Sequence, residues 1–130
     1  MKIDYEIIKG ILTVFEESDN LTSDVDDIKE SLKEADPKEI FFNLQMLNDK
    51  GVVIKANGDP GIGIILHARK EDYSYEAVQL RITAQGMDFL EALKKPAIWE
   101  KIKAKLSDAA LGTVIEFSKK ALIEGLQNLA

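Results

Sequence analysis

The chain has 130 residues and a mass of 14.5 kDa, with 45% hydrophobic and 31% charged residues and three prolines, enough to bury a core in one domain and unlike a disordered or collagen-like chain. It has no cysteine and one histidine, which excludes disulfide frameworks, thiolate nucleophiles and cysteine-ligated zinc and removes most histidine-based metal and triad chemistry. The net charge of −6 is uneven: residues 1–49 carry five lysines against thirteen acids (net −8), residues 50–93 stand at −1, and residues 94–130 carry seven lysines against four acids (net +3).

A bipolar chain of this kind can offer a basic end to phosphates or an acidic end to a basic partner. The opening Met1 to Glu6 is charged and lacks the apolar stretch of a signal peptide, and no apolar run approaches the ~20 residues of a membrane span. A cytoplasmic protein without a membrane partner is expected. Ile3, Ile7, Ile8, Ile11, Leu12 and Phe15 recur at helical spacing and predict a first helix from about Asp4, ended by Ser18-Asp19-Asn20. Ser23 is expected to cap a second helix, with Asp24, Asp26 and Asp27 in its first turn and Val25, Ile28 and Leu32 facing inward. Asp36-Pro37-Lys38-Glu39 then joins an Asp cap, a proline at the first helical position and a glutamate placed to close a capping box. The third helix it starts has a core stripe of Ile40, Phe41, Leu44 and Leu47 and ends at Lys50-Gly51.

After Gly51 the period changes from 3.6 to 2. Val52 to Ala56 reads as a strand, Asn57-Gly58-Asp59-Pro60-Gly61 as a wing turn, and Ile62, Ile64, Leu66 and Ala68 as the alternating face of a second strand. Lys70 to Tyr75 reads as a polar connection, and Val78, Leu80 and Ile82 as the third strand of a meander. Thr83 can cap a fourth helix with Phe89, Leu90 and Leu93 inward, and Pro96 opens a fifth bearing Ile98, Trp99, Ile102 and Leu106. The last helix runs from Thr113 to about Leu129. Its apolar residues Val114, Ile115, Phe117, Ala121, Leu122, Leu126 and Leu129 exceed one narrow stripe, so it beds deeply or faces two surfaces. The expected fold is α+β: a winged helix-turn-helix of three helices and a three-stranded antiparallel wing sheet over residues 1–83. Residues 84–130 form a helical C-terminal extension packed on it as part of one domain.

These residues carry a resemblance that runs almost end to end. The opening Met1 to Ile8, the stretch Leu44 to Val53, and Arg81-Ile82-Thr83 followed by Gly86, Phe89-Leu90 and Ile98-Trp99 resemble domain-of-unknown-function family 2513 of bacterial and phage proteins. The chain departs from it at Ala84-Gln85-Gly86-Met87, where that family tends to place Trp and His around the equivalents of Gln85 and Gly86. The resemblance implies a winged helix and a bacterial or phage origin, and implies no activity or catalytic residue.

Candidate chemistry is sparse. Gly58-Asp59-Pro60-Gly61-Ile62-Gly63 lacks the following helix and the Lys-Ser or Lys-Thr of a phosphate loop, and Asp24-Val25-Asp26-Asp27 lacks the glycine and terminal glutamate of a calcium loop. His67 has no second histidine to work with, and Trp99 sits among Ile98 and Ile102 as a packing anchor. Beyond its core stripe the third helix offers Lys38, Phe42, Asn43, Gln45, Met46 and Asp49. Asn43 and Gln45 are base-reading types, whereas Phe42 and Met46 are apolar.

The expected function is a non-enzymatic winged-helix regulator that contacts the phosphates of double-stranded DNA through its wing and basic C-terminal region. Lys55, Arg69, Lys70, Lys101, Lys103 and Lys105 would make those contacts, with Asn43 and Gln45 on the third helix. The alternative is a protein-interaction or dimerisation module that keeps the fold without binding DNA and uses Phe42 and Met46, which the C-terminal helices or a partner would cover. No cofactor, metal or small-molecule substrate is expected.

Overall fold

The computed structural model describes residues 1–70 and 72–129, the last four by their backbone alone. The protein is α+β, with six helices and two small antiparallel sheets. Helix α1 spans Tyr5–Glu17, where the Asp4 carboxylate accepts from the Glu6 and Ile7 amides and Ile7, Ile8, Ile11, Leu12 and Phe15 are buried. Helix α2 spans Val25–Ser31. Asp24 caps it rather than Ser23, through a reciprocal capping box with Asp27, and a carboxylate there also gains from the helix dipole. Ser23 is occupied elsewhere: its backbone pairs in both directions with Leu80, at 3.0 and 2.8 Å.

Helix α3 spans Pro37–Asp49, with Pro37 in its first turn and the Asp36 carboxylate accepting from the Lys38 amide. The box expected from Glu39 is absent from the cap's bonds, and the reciprocal pair sits on α2 instead. Gly51 follows at φ 70°, the left-handed conformation that ends a helix at little cost only for glycine.

The strands depart from the expected meander. Strand β1 (Val53–Lys55) pairs with β4 (Leu80–Ile82), and β2 (Ile64–Leu66) pairs with β3 (Tyr73–Tyr75), each antiparallel, so the second pair is nested inside the first. The segment read as a wing turn is the crossover between the two sheets. Asn48 fixes its course by donating from Nδ2 to the carbonyls of Val53 and Gly61, at 3.0 and 3.3 Å. Ile62 then enters the core, which outweighs the local preference of Asn57-Gly58 for a hairpin. Tyr73–Tyr75, read as part of a polar connection, is a strand because its two tyrosines alternate onto a buried surface.

Helix α4 (Ala84–Leu93) is capped by the Thr83 hydroxyl, which accepts from the Gly86 amide at 3.1 Å. A Cβ at Gly86 would lie 2.5 Å from the Val52 carbonyl oxygen and 2.6 Å from Ile82 Cγ1. Only glycine lets α4 approach β1 and β4 this closely. Helix α5 is Pro96–Lys105, and α6 is Leu111–Leu129, starting two residues before the expected Thr113. Leu126 and Leu129 lie outside the side chains described.

One core joins these elements. Helix α1 packs against α2, α3 and α4, and α4 packs against α5 and α6. The core takes in Val25, Ile40, Leu44, Leu47, Val53, Leu80, Leu90, Leu93, Ile102 and Val114. A long-range bond closes it, with the Tyr5 hydroxyl donating to the Ala109 carbonyl at 2.7 Å.

Candidate functional site

The chemistry proposed for the third helix depends on which way its polar side chains point. Asn43 is fully buried. Its Nδ2 donates to the Glu39 carbonyl at 2.8 Å and its Oδ1 accepts from the Asp4 amide at 2.9 Å, so it locks the start of α1 to α3. This corrects the expectation of an outward-facing Asn43 placed to contact nucleic acid: its side chain lies in the core with both ends of the amide committed to backbone groups. Gln45 faces outward and donates to Asp49 Oδ1 at 2.9 Å on its own helix. Met46 is half-buried and packs against the core, whereas Phe42 is half-buried on the outer side.

What lies opposite Phe42 is the β2–β3 hairpin. In its register Ile64 faces Tyr75 and Leu66 faces Tyr73, which puts these four on one side of the two-stranded sheet. Phe41 meets Tyr73 edge-on at a centroid distance of 5.4 Å and Tyr75 at 5.3 Å, the tilted geometries aromatic pairs favour. Lys29 on α2 completes the seam. Its ammonium lies 5.0 Å from the Tyr75 ring centroid and donates to the Tyr75 hydroxyl at 3.0 Å, and that hydroxyl donates onward to Asp26 Oδ1 at 3.0 Å. The bond to Tyr75 above all, with a smaller contribution from the nearby Asp26 charge, holds the Lys29 pKa above its ordinary value. The hairpin is thus folded down over α2 and the first half of α3.

Beyond the seam the hairpin and α3 diverge into an apolar cleft of about 290 Å³. Phe41, Phe42 and Gln45 form one wall and Ile64, Leu66 and Tyr73 the other, with Lys38 and Met1 at the mouth. Leu66 is 83% exposed and Met1 69%. The structure brings Phe42 and Gln45 into this cleft and leaves Lys55, Arg69, Lys70, Lys101, Lys103 and Lys105 out of its lining. Lys55 is half-buried on β1, and Arg69 and Lys70 are exposed in the turn joining β2 to β3. His67, in the same turn, is within 3.0 Å of Ser74 Oγ through Nε2.

Lys101, Lys103 and Lys105 are exposed on α5, a separate element packed on α4 and α6. Two of these are engaged locally. Lys101 lies 5.4 Å from the Phe117 ring centroid, and Lys103 lies 5.5 Å from the Trp99 ring and 3.2 Å from a Glu100 oxygen. Trp99 is buried, with Lys9 at 4.4 Å on its ring, which makes it a packing anchor. Among the described residues no group of three or more His, Asp or Glu side chains is placed to hold a metal, and no helix is long and apolar enough to cross a membrane.

Sequence reasoning had one wall of the cleft, in Phe42. It missed Ile64, Leu66 and Tyr73 because their direction follows from a pairing that the strand pattern did not reveal, although the Tyr-Ser-Tyr alternation was a usable signal.

Fold and cleft together define a small α+β protein whose third helix is overlaid by a hairpin. The family model described as "Hypothetical protein (DUF2513)" matches residues 2–112, and the chain belongs to domain-of-unknown-function family 2513. None of the curated proteins and none of the solved structures compared with it matches.

Proposed function

We propose that the chain is a non-enzymatic interaction module built on a winged-helix plan, and that its α3–hairpin cleft takes an apolar segment of a protein partner. The plan is supported by the element order and by the Ser23 bridge beside β4, which gives the lateral order Ser23, β4, β1 after a helix-turn-helix pair. One observation carries the docking reading: α3 turns its best base-reading side chain, Asn43, into the core and presents Phe42 towards Leu66 and Tyr73. A DNA-reading helix does the reverse, because base edges are read by hydrogen-bonding groups. The acids of α2, Asp26, Asp27 and Glu30, are exposed, and Asp26, bonded to the Tyr75 hydroxyl, adds phosphate repulsion beside the hairpin.

Peptide-display selection on the full chain, with amide chemical shifts to map the winners, tests this reading. Peptides with an apolar anchor should shift Phe42, Gln45, Leu66 and Tyr73, and Leu66→Asp, at an exposed site, should abolish their binding without unfolding the protein. Duplex DNA that binds at physiological salt, shifts α3 and is lost with Gln45→Ala would overturn it.

The exposure of Arg69 and Lys70 favours a second reading, in which the module touches nucleic acid through phosphates at the hairpin turn. Reversing both charges should then weaken binding and flatten its salt dependence by roughly one unit of slope for each phosphate no longer neutralised.

A further inference from the structure

A second apolar surface lies on another part of the molecule. Helices α4 and α6 pack together along a seam that opens into a groove of about 520 Å³, floored by Phe89 and Ile115 and banked by Asp88 on α4 and by Lys119, Leu122 and Ile123 on α6. Ile123 is 50% exposed. At 1.5 Å per residue the ten residues of α4 run about 15 Å and the nineteen of α6 about 28 Å, so α4 lies beside roughly half of α6. The buried Leu111, Val114, Ile115 and Ser118 are all in the first half of α6, and Leu122 and Ile123 come after them. The extra width of the helix's apolar surface therefore faces a second surface rather than a deeper bed.

We propose that this groove is a self-association site in which two copies meet about a two-fold axis and each inserts Ile123 into the α4–α6 groove of the other. Charge selects a second copy as the occupant. The banks carry opposite signs, Asp88 on α4 and Lys119 on α6, and Lys119 pairs with Glu116 on its own helix at a loose 3.8 Å. A two-fold operation sets Asp88 of each copy against Lys119 of the other, twice, so one face supplies both the apolar plug and its complementary charges. Two-fold closure also leaves no unfilled groove at either end, unlike head-to-tail packing. The site stands apart from the α3–hairpin cleft, and its residues from Ile115 onward lie outside the stretch that matches the family.

Sedimentation velocity of the full chain across a concentration series tests the proposal. The wild-type chain should reach a dimer, and Ile123→Asp should weaken that dimer about tenfold or more with its urea midpoint unchanged. Asp88→Lys and Lys119→Glu should each weaken it, and the double charge swap should restore it, an effect that a structural role for either residue would not produce. A wild-type chain that stays monomeric at the highest concentration overturns the proposal, as does a double swap that fails to recover association. A dimer indifferent to Ile123→Asp but broken by Leu66→Asp also overturns it, and assigns self-association to the α3–hairpin cleft.

Discussion

Asn43 sits three residues after Ile40 and four before Leu47, on the same helical stripe as Leu44, so the periodicity of α3 already placed it inside. Its chemical type pointed outward, and the local pattern was the better guide. Replacing it with alanine would leave the Asp4 amide without its acceptor, at a cost of about 1–3 kcal/mol. Urea unfolding should register that loss, whereas Gln45→Ala should stay within about 0.5 kcal/mol; equal midpoints for the two variants would contradict the buried role. Tyr5 is the titrating counterpart. Burial pushes its phenol up to about 12 while its hydroxyl serves Ala109. The unfolded value is about 10, so its contribution is complete below that pH and is lost as the pH rises towards 12, up to about 2–3 kcal/mol. Lys29 and Lys94 are also raised, by their bonds to Tyr75 and Glu16, and act in the same direction. Stability measured between about pH 9 and 11 should therefore fall less in Tyr5→Phe than in the wild type. Identical alkaline slopes would show that the phenol titrates alike in folded and unfolded chains.

Helices were legible in this sequence because their signals are local. Asp36-Pro37, Thr83 and Pro96 each mark a start that the structure keeps, since a cap or a first-turn proline acts within four residues of itself. The choice between Ser23 and Asp24 failed through a non-local event, the pairing of Ser23 with Leu80. Strands were legible as segments but not as partners. Nothing between Val53 and Ile82 states that β1 must skip two strands to reach β4; that outcome depends on Asn48 holding the crossover and on Ile62 finding the core. The candidate site inherits this division. Phe42 belongs to a helix face and could be read from spacing, whereas the alternation of Leu66 and of Tyr73 was visible but not the register that sets them side by side.

Across the molecule, α4 joins the C-terminal third to α1, and α6 completes the packing of that third on α4 and α5. Leu111, Val114 and Ile115 are buried, and each such side chain is worth roughly 1.5–3 kcal/mol when fully buried. Deleting residues from Leu111 onward removes all three and uncovers the α4 face beneath them, a loss comparable to the ~5–15 kcal/mol of an ordinary domain's stability. The truncated chain should unfold or aggregate. A soluble, cooperative product with an unchanged urea midpoint would show that α6 is an appendage. The bond from Tyr5 to Ala109 and the packing of α1 on α4 also bear on how the chain folds as it is made. Helix α1 meets α2 and α3 soon after they leave the ribosome, but the part of its isoleucine-rich face that rests on α4 must wait for residues 84–93. At about 5–20 residues per second that interval lasts on the order of 2–8 seconds after α3 is complete. During it β1 has no edge to join and the nascent chain carries a half-covered apolar ridge, which makes the segment before Ala84 the stretch most in need of a chaperone's cover.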